Sequence, residues 1–139
     1  MFEVKLNNKR NRPGTHFVII SDEAGIFDAF NFITDRLADR GTAILSFIYT
    51  FSENNLQPLF ERELNILERR YSGRLIVHMV RTDTNQYCCK QDIIEATINS
   101  NTLPKIEFLV FGNIEFINYL FGILQFLDVK APMIKSKIA

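Results

Sequence analysis

The stretch HFVIISDEAGIFDAFNFITDRL, residues 16–37, decides the fold that this sequence predicts. Residues 17–20 are apolar and mostly β-branched, which is typical of a buried strand. After a short turn, apolar side chains recur at the spacing of an amphipathic helix, at Ile26, Phe30, Ile33 and Leu37. The stretch therefore predicts a strand, a tight turn and a helix.

The turn in this stretch lies where α/β proteins commonly bind phosphates, beside the carboxyl end of a strand and the N–H groups of a helix start. It carries Asp22 and Glu23, and Gly25 is its only glycine. Two negative charges ~4 Å apart repel by ~4 kcal/mol at an effective dielectric constant of ~20, which exceeds the ~0.3–1 kcal/mol that a helix dipole contributes. Two interpretations stay open: the turn binds a nucleotide, or its acids point outward and act as helix caps with no ligand nearby.

The rest of the chain continues the alternation of strand and helix. Apolar runs predict further strands at residues 43–51, 75–80 and 106–111, and residues 132–138 are predicted as a short fifth strand. Helical spacing predicts a helix with Pro58 in its first turn and Leu56, Phe60, Leu64 and Leu67 on one face, and further helices at 91–99 and 114–127. This pattern predicts one α/β domain, a doubly wound parallel sheet with helices on both faces.

Composition excludes several classes of function. The 139 residues include sixteen basic and sixteen acidic side chains, so the overall charge gives no reason to expect a nucleic-acid partner. No apolar run reaches ~18 residues and no leader follows Met1, so we expect neither a membrane span nor a signal peptide. The adjacent cysteines Cys88 and Cys89 favour reduced thiols over a disulfide, and with them a cytoplasmic setting. A redox pair or metal site there is the alternative, but His16 and His78 show no ligand spacing, and we predict no metal site.

Several short segments occur in an order that resembles a known family. FEVKL (2–6) is similar to the last strand of a flavin-binding barrel, and SDEAGIF (21–27) stands where the family has a Gly-Gly-Thr-Gly-Ile-Ala-Pro-like turn. YTFS (49–52) and FEREL (60–64) match a Tyr-Gly-x-Arg-like segment and a Phe-x-x-Glu-Leu helix, and FGN (111–113) replaces Cys-Gly-Pro. From Phe2 to Ile138 the chain thus resembles the nucleotide-binding half of the ferredoxin–NADP reductase family.

The resemblance implies an organisation and a set of binding residues. Residues 1–14 would form a connector or edge strand like the end of a flavin barrel, and residues 15–139 a reductase-like nucleotide-binding domain. We expect a five-stranded sheet of order 3-2-1-4-5. NAD or NADP would be bound by three groups of residues: Glu23, Ala24, Gly25 and Ile26; Tyr49 and Ser52; and Phe111, Gly112 and Asn113. Ser52 stands where the family often has an arginine near the ribose, so no strong preference for the phosphorylated cofactor is expected. Ser52 with Arg62 or Arg81 would contact the ribose, and a solvated loop is the alternative.

The predicted activity depends on cofactors, because the sequence shows no nucleophile–base pair and no paired carboxylates for acid–base catalysis. The flavin barrel is absent from this chain, so FAD is expected only through a separate domain or partner. The protein is then at most one part of an NAD(P)H-dependent flavin oxidoreductase. The alternative is a non-catalytic interaction or structural subunit that keeps the reductase fold and has lost nucleotide binding.

The last predicted helix, residues 114–127, is apolar well beyond the ~100° stripe that a sheet-packed helix needs. One interpretation is deep burial inside this domain. The other is a partner surface, for a second copy of the chain or for a flavin-bearing subunit.

Overall fold

The computed structural model describes residues 14–39, 41, 43–82 and 91–139. Within them, strands and helices alternate in this order: β1 (Thr15–Ser21), α1 (Ile26–Ala38), β2 (Ile44–Ser52), α2 (Glu61–Arg70), β3 (Leu75–Thr82), α3 (Gln91–Asn99), β4 (Lys105–Gly112), α4 (Ile114–Phe126), a 3₁₀ turn (Ala131–Met133) and β5 (Ile134–Ile138). The predicted connector, apart from Gly14, and the cysteines Cys88 and Cys89 lie outside the described residues.

The five strands form one parallel sheet in the order β3-β2-β1-β4-β5, which confirms the predicted α/β fold and strand order. β1 is central because its apolar side chains alternate to both faces and every residue from 16 to 21 is buried. Ser21 at the end of β1 pairs with Tyr49 on β2 and with Phe111 on β4. The turns that follow β1, β2 and β4 therefore meet at one edge of the sheet.

Two apolar cores cover the two faces of the sheet. α1 and α2 pack on one face, where Ile33 and Leu64 meet the aromatic side chains of β2. α3 and α4 pack on the other face, where Ile94 and Leu120 meet alternate residues of β1 and β4. This arrangement is the doubly wound form that the alternation of elements predicts.

The connection between β2 and α2 differs from the prediction. The helix begins at Glu61, so Pro58 lies in the preceding turn, and Leu56 is 79% exposed instead of facing the core. Phe60 ends the connection in the left-handed region, with φ at 69°. Its ring stacks on Phe30 with the ring centroids 4.1 Å apart, a contact that helps to offset the cost of that backbone conformation.

β3 is an edge strand and is less buried than its apolar sequence predicts. Leu75 and Val80 are buried, but Ile76 is 44% exposed, and among the described strands β3 pairs with β2 alone. The carboxylate of Glu68 on α2 accepts a hydrogen bond from the backbone N–H of Val77 at 2.7 Å. A helix side chain thus covers one of the open backbone donors of this edge.

α4 packs mainly inside the domain. Its buried side chains are Phe116, Ile117, Leu120 and Leu124. The Asn113 side chain caps the helix start by accepting the Phe116 N–H at 2.8 Å. Phe126, near the other end, remains 73% exposed. Burial accounts for the stripe of this helix that faces the core, whereas Ile114, Tyr119 and Phe126 are exposed, and a partner surface on the helix stays a prediction.

A buried polar cluster lies at the amino end of the sheet. The Nε2 atom of His16 is 2.8 Å from Ser46 Oγ, and its Nδ1 atom is 3.2 Å from Asn101 Oδ1. His16 and Ser46 are 3% and 2% exposed, so water does not compete for these contacts. Burial lowers the pKa of His16, although the Asn101 hydrogen bond opposes that shift.

Candidate functional site

The carboxyl ends of β1 and β4 meet where the strand order reverses, because β1 is flanked by β2 on one side and β4 on the other. Open α/β sheets bind ligands at such a switch point. The backbone N–H of Asp22 donates to the Phe111 carbonyl at 3.3 Å, so the turn after β1 is joined directly to the end of β4.

The Asp22 carboxylate lies at the centre of this junction. Its Oδ1 accepts the backbone N–H of Gly25 at 2.9 Å, and its Oδ2 accepts the backbone N–H of Asn113 at 3.2 Å. Gly25 and Asn113 are the residues that immediately precede α1 and α4. Two helix starts therefore direct backbone donors at one negatively charged group. We call this pair of N–H groups, of Gly25 and Asn113, the anion cradle.

Burial raises the pKa of the Asp22 carboxyl above its ordinary value. The N–H groups of Asn113 and Gly25 oppose that shift, because they stabilise the ionised form. Desolvation is the larger effect, so the junction tolerates the charge of Asp22 less well than water does.

Two glycines make the junction compact. A Cβ on Gly25 would lie 2.3 Å from both the carbonyl carbon and the oxygen of Phe111. A Cβ on Gly112 would lie 2.6 Å from Oδ1 of Asp22. Gly25 is thus required by the packing of α1 against β4, and Gly112 leaves room for the Asp22 side chain.

The Glu23 carboxylate joins the turn after β1 to the loop after β2. Its Oε1 accepts the Ser52 backbone N–H at 3.0 Å, and its Oε2 accepts the Asn55 side-chain amide at 2.6 Å. Arg81 continues the connection, since its Nη1 donates to the Asn55 carbonyl at 2.9 Å and its guanidinium lies 4.9 Å from the centre of the Phe51 ring. Both acids therefore accept backbone N–H groups. The contacts of Asp22 at two helix starts agree with the capping interpretation, but Asp22 points into the junction and not outward.

Tyr49 and Ile26 lie in the core and not at the rim of the site, with exposures of 1% and 2%. Burial, followed by the charges of Glu23 and Asp22, raises the pKa of Tyr49 to about 12, so its hydroxyl stays protonated at neutral pH. Ala24 is exposed beside the anion cradle.

The structure brings some of the predicted binding residues together and separates others. Gly25, Phe111, Gly112 and Asn113 meet around Asp22, whereas Glu23 and Ser52 form a second cluster next to it. Asp22 is predicted as a repulsive charge or a helix cap and not as a binding residue, and Asn55 is not among the predicted residues. Aspartate side chains often accept backbone N–H groups near a helix start, and the place of Asp22 just before a predicted helix is the signal for this contact.

An open cavity of about 380 Å³ lies beside the ends of β2 and β3. Its lining residues are Phe51, Glu61, Met79, Val80, Arg81 and Ile93. Arg81 is exposed and Arg62 does not line this cavity, so Arg81 is the better placed of the two arginines considered for a ribose or phosphate.

The described part of the chain has neither a cluster of metal-binding side chains nor a helix suited to cross a membrane. No group of three histidine, cysteine, aspartate or glutamate side chains there could hold a metal ion. No helix among the same residues has both the length and the apolar character that crossing a bilayer requires.

No protein-family model and no curated protein matches this sequence. Solved structures with a similar fold include the CS-b5R domains of human Ncb5or in the NAD⁺ form, with a TM-score of 0.71 and 14% identity over 93% of this chain. The cytochrome b5 reductase domain of Ulva prolifera nitrate reductase has a TM-score of 0.72 and 14% identity over 89% of this chain. Ferredoxin–NADP⁺ reductase from Plasmodium falciparum has a TM-score of 0.71 and 17% identity over 96% of this chain.

The chain spans 38%, 50% and 55% of the length of these three structures, respectively. At such identities the likeness concerns the fold alone. It agrees with the five-stranded parallel sheet and its strand order. The chain has the fold of the nucleotide-binding domains of cytochrome b5 reductases and ferredoxin–NADP reductases.

Proposed function

We propose that this chain is an NAD(P)-binding module of a flavin-dependent oxidoreductase, with the flavin carried by a separate domain or partner. The observation that carries the proposal is the anion cradle. The N–H groups of Gly25 and Asn113 belong to different turns, and both hydrogen-bond one negatively charged group. Backbone donors at helix starts are the groups with which α/β folds hold a pyrophosphate.

The surroundings of the cradle fit a dinucleotide in one respect and oppose it in another. The buried hydroxyls of Ser21 and Thr50, at the ends of β1 and β2, have no hydrogen-bond partner among the described residues. Polar atoms of this kind at a ligand-binding edge are ones that a ligand or water would satisfy. Against this, the Asp22 side chain must leave the cradle before a pyrophosphate can take its place.

In the proposed module, Gly25 and Asn113 would hold the pyrophosphate, and Ser52 and Arg81 lie on the side of β2 and β3 where an adenosine would extend. The bound nicotinamide would supply or accept a hydride. The protein would contribute binding and orientation, which is the usual division of work in cofactor enzymes. Since Arg81 already binds Asn55, we expect NAD and NADP to bind with similar affinity.

A flavin-bearing partner would dock at the same edge of the sheet. Three apolar side chains are exposed there: Phe27 at 60%, Ile114 at 42% and Ile138 at 60%. The ion pair between Lys137 and Asp28, 3.1 Å long, holds the end of β5 beside the start of α1. Exposed apolar side chains grouped beside a ligand site are typical of a docking surface.

Nucleotide titration followed by NMR tests the proposal. Adding NAD⁺ or NADP⁺ to the ¹⁵N-labelled chain should shift the amide resonances of Gly25 and Asn113 and those of the loop around Ser52. Adenosine is the matched control, because it lacks the pyrophosphate and should leave the Gly25 and Asn113 resonances in place. No shift anywhere at millimolar dinucleotide would refute the proposal.

One observation favours a second candidate, a non-catalytic subunit that keeps the fold without binding nucleotide. The Asp22 carboxylate already satisfies the donors that a pyrophosphate needs. This candidate predicts a stable complex with another protein that forms equally well with and without NAD⁺. A partner that binds only in the presence of nucleotide would argue against it.

A further inference from the structure

The Asp22 carboxylate and a pyrophosphate would compete for the same donors. Each N–H of the anion cradle is within 3.2 Å of one Asp22 oxygen, and a Cβ at Gly112 would come within 2.9 Å of all three atoms of the carboxylate group. The side chain therefore fills the space above Gly112 as well as using the donors. A phosphate cannot enter while the carboxylate is there.

We propose that Asp22 is an intramolecular occupant of the anion cradle, and that its displacement determines how tightly this chain binds the phosphates of a nucleotide. The inference rests on the proposed function, and it deepens that function by naming the residue that limits affinity. Asp22 competes with a phosphate because its carboxylate binds the two N–H groups directly. A charge elsewhere in the same turn would not compete in this way.

The competition also makes binding depend on pH. An ionised carboxylate is a strong acceptor for the cradle and repels an incoming phosphate, whereas a protonated carboxyl is a weaker acceptor without charge. Burial at the junction shifts the pKa of Asp22 upward, although the backbone N–H groups of Asn113 and Gly25 oppose that shift. Protonation at lower pH should therefore weaken the internal contact and strengthen nucleotide binding.

The other charged groups around the junction are engaged elsewhere. Glu23 is held by Ser52 and Asn55, and Asp28 on α1 pairs with Lys137 on β5. Glu115 is exposed in the first turn of α4, and the protonated Tyr49 carries no charge at neutral pH. None of these groups contacts the cradle, and Asp22 is the one carboxyl among the described residues that binds it.

Asp22→Gly removes the whole side chain from the cradle, and Asp22→Ser leaves a shorter side chain without charge. Either variant serves if the other fails to fold. Asp28→Asn is the matched control, because it removes one negative charge from the same helix start without touching the cradle. NAD⁺ binding is measured by calorimetry, and the amides of Gly25 and Asn113 are followed by NMR with inorganic pyrophosphate. Both measurements run from about pH 8 to about pH 5.

We expect the Asp22 variants to bind NAD⁺ at least about tenfold more tightly than the original chain, and Asp28→Asn to change the affinity by less than about threefold. Affinity of the original chain should rise as pH falls, and affinity of the Asp22 variants should stay flat. Pyrophosphate should shift both cradle amides in the variants.

The outcomes separate this inference from the proposed function. If pyrophosphate shifts the cradle amides in the Asp22 variants, the inference that Asp22 occupies the cradle is supported. This holds even if no dinucleotide binds and the proposed function fails. If pyrophosphate leaves the cradle amides of folded variants unshifted, the inference that Asp22 occupies the cradle is overturned. This holds even if NAD⁺ shifts other residues and the proposed function stands. An equal gain in Asp28→Asn would also overturn it, since bulk charge would then explain the effect.

Discussion

The Asp22 carboxylate and the backbone N–H of Asn113 are 3.2 Å apart, although 91 positions of sequence separate these residues. This hydrogen bond joins the turn between β1 and α1 to the turn between β4 and α4. It also places a negative charge beside two helix starts, and helix starts are where α/β folds commonly bind phosphates. The function proposed for this protein depends on whether that charge can be displaced.

Asp22→Ala should lower the free energy of unfolding by about 1–2 kcal/mol, because two part-buried N–H groups lose their acceptor. Urea denaturation at neutral pH measures the change. Asp28→Ala, which removes a carboxylate bound only to the exposed Lys137, should cost less than about 1 kcal/mol. Equal losses in the two variants would contradict the importance of the cradle contact.

The pH dependence of stability should also identify Asp22. Its raised pKa means that the folded chain holds this proton more tightly than the unfolded chain does. The protein should therefore lose stability, relative to Asp22→Asn, as pH rises from the ordinary value of 3.8 through the raised pKa. Parallel curves of unfolding free energy against pH for the two proteins would show that the Asp22 pKa is not raised.

Gly25→Ala should destabilise the fold by about 1–3 kcal/mol or more, because its methyl group would overlap the Phe111 carbonyl, which is backbone and cannot rotate away. Gly122→Ala is the control within the same protein, since a Cβ at this exposed position of α4 meets nothing within 4 Å. It should stabilise the fold by about 0.5–1 kcal/mol through helix propensity. Thermal and urea unfolding of both variants check the prediction. A tolerated Gly25→Ala would mean that α1 and β4 are less closely packed than described.

His16 should make the protein less stable in mild acid. Its lowered pKa means that the unfolded chain takes up the proton first as pH falls, so stability is full above the ordinary pKa of 6.5 and decreases below it. Unfolding free energies at pH values on either side of 6.5 measure the effect. In His16→Asn this part of the pH dependence should disappear, and its persistence would assign the effect to other groups.

Glu23→Ala should loosen the loop after β2 with little loss of global stability. Glu23 is exposed, so the change in unfolding free energy should stay below about 1 kcal/mol. Hydrogen exchange of the Ser52 amide should become faster, because this N–H loses the acceptor that it has at 3.0 Å. Glu53→Ala removes a carboxylate from the same loop and should leave that exchange rate unchanged. Protection of Ser52 that survives in Glu23→Ala would show that another group holds the loop.

The connection from β2 to α2 shows where sequence periodicity misleads. Leu56, Phe60 and Leu64 have helical spacing, but the helix begins only at Glu61. Phe60 adopts a left-handed backbone and stacks on Phe30 of α1. That contact lies between elements that are distant in sequence, so local spacing cannot reveal it.

The sequence by itself determined the order of strands and helices, because alternating apolar runs and helical spacing are local properties of a chain that must bury its apolar side chains. With the family resemblance it also predicted the strand order and the meeting of the Gly25 and Gly112 turns. Only the tertiary structure decided where the acids of the first turn point. Asp22 turns inward because folding brings the Asn113 N–H beside it, and Glu23 turns toward Ser52 for the same reason. Hydrogen-bond donors from other turns exist at that place only after the sheet has formed, and they decide the direction of these two carboxylates.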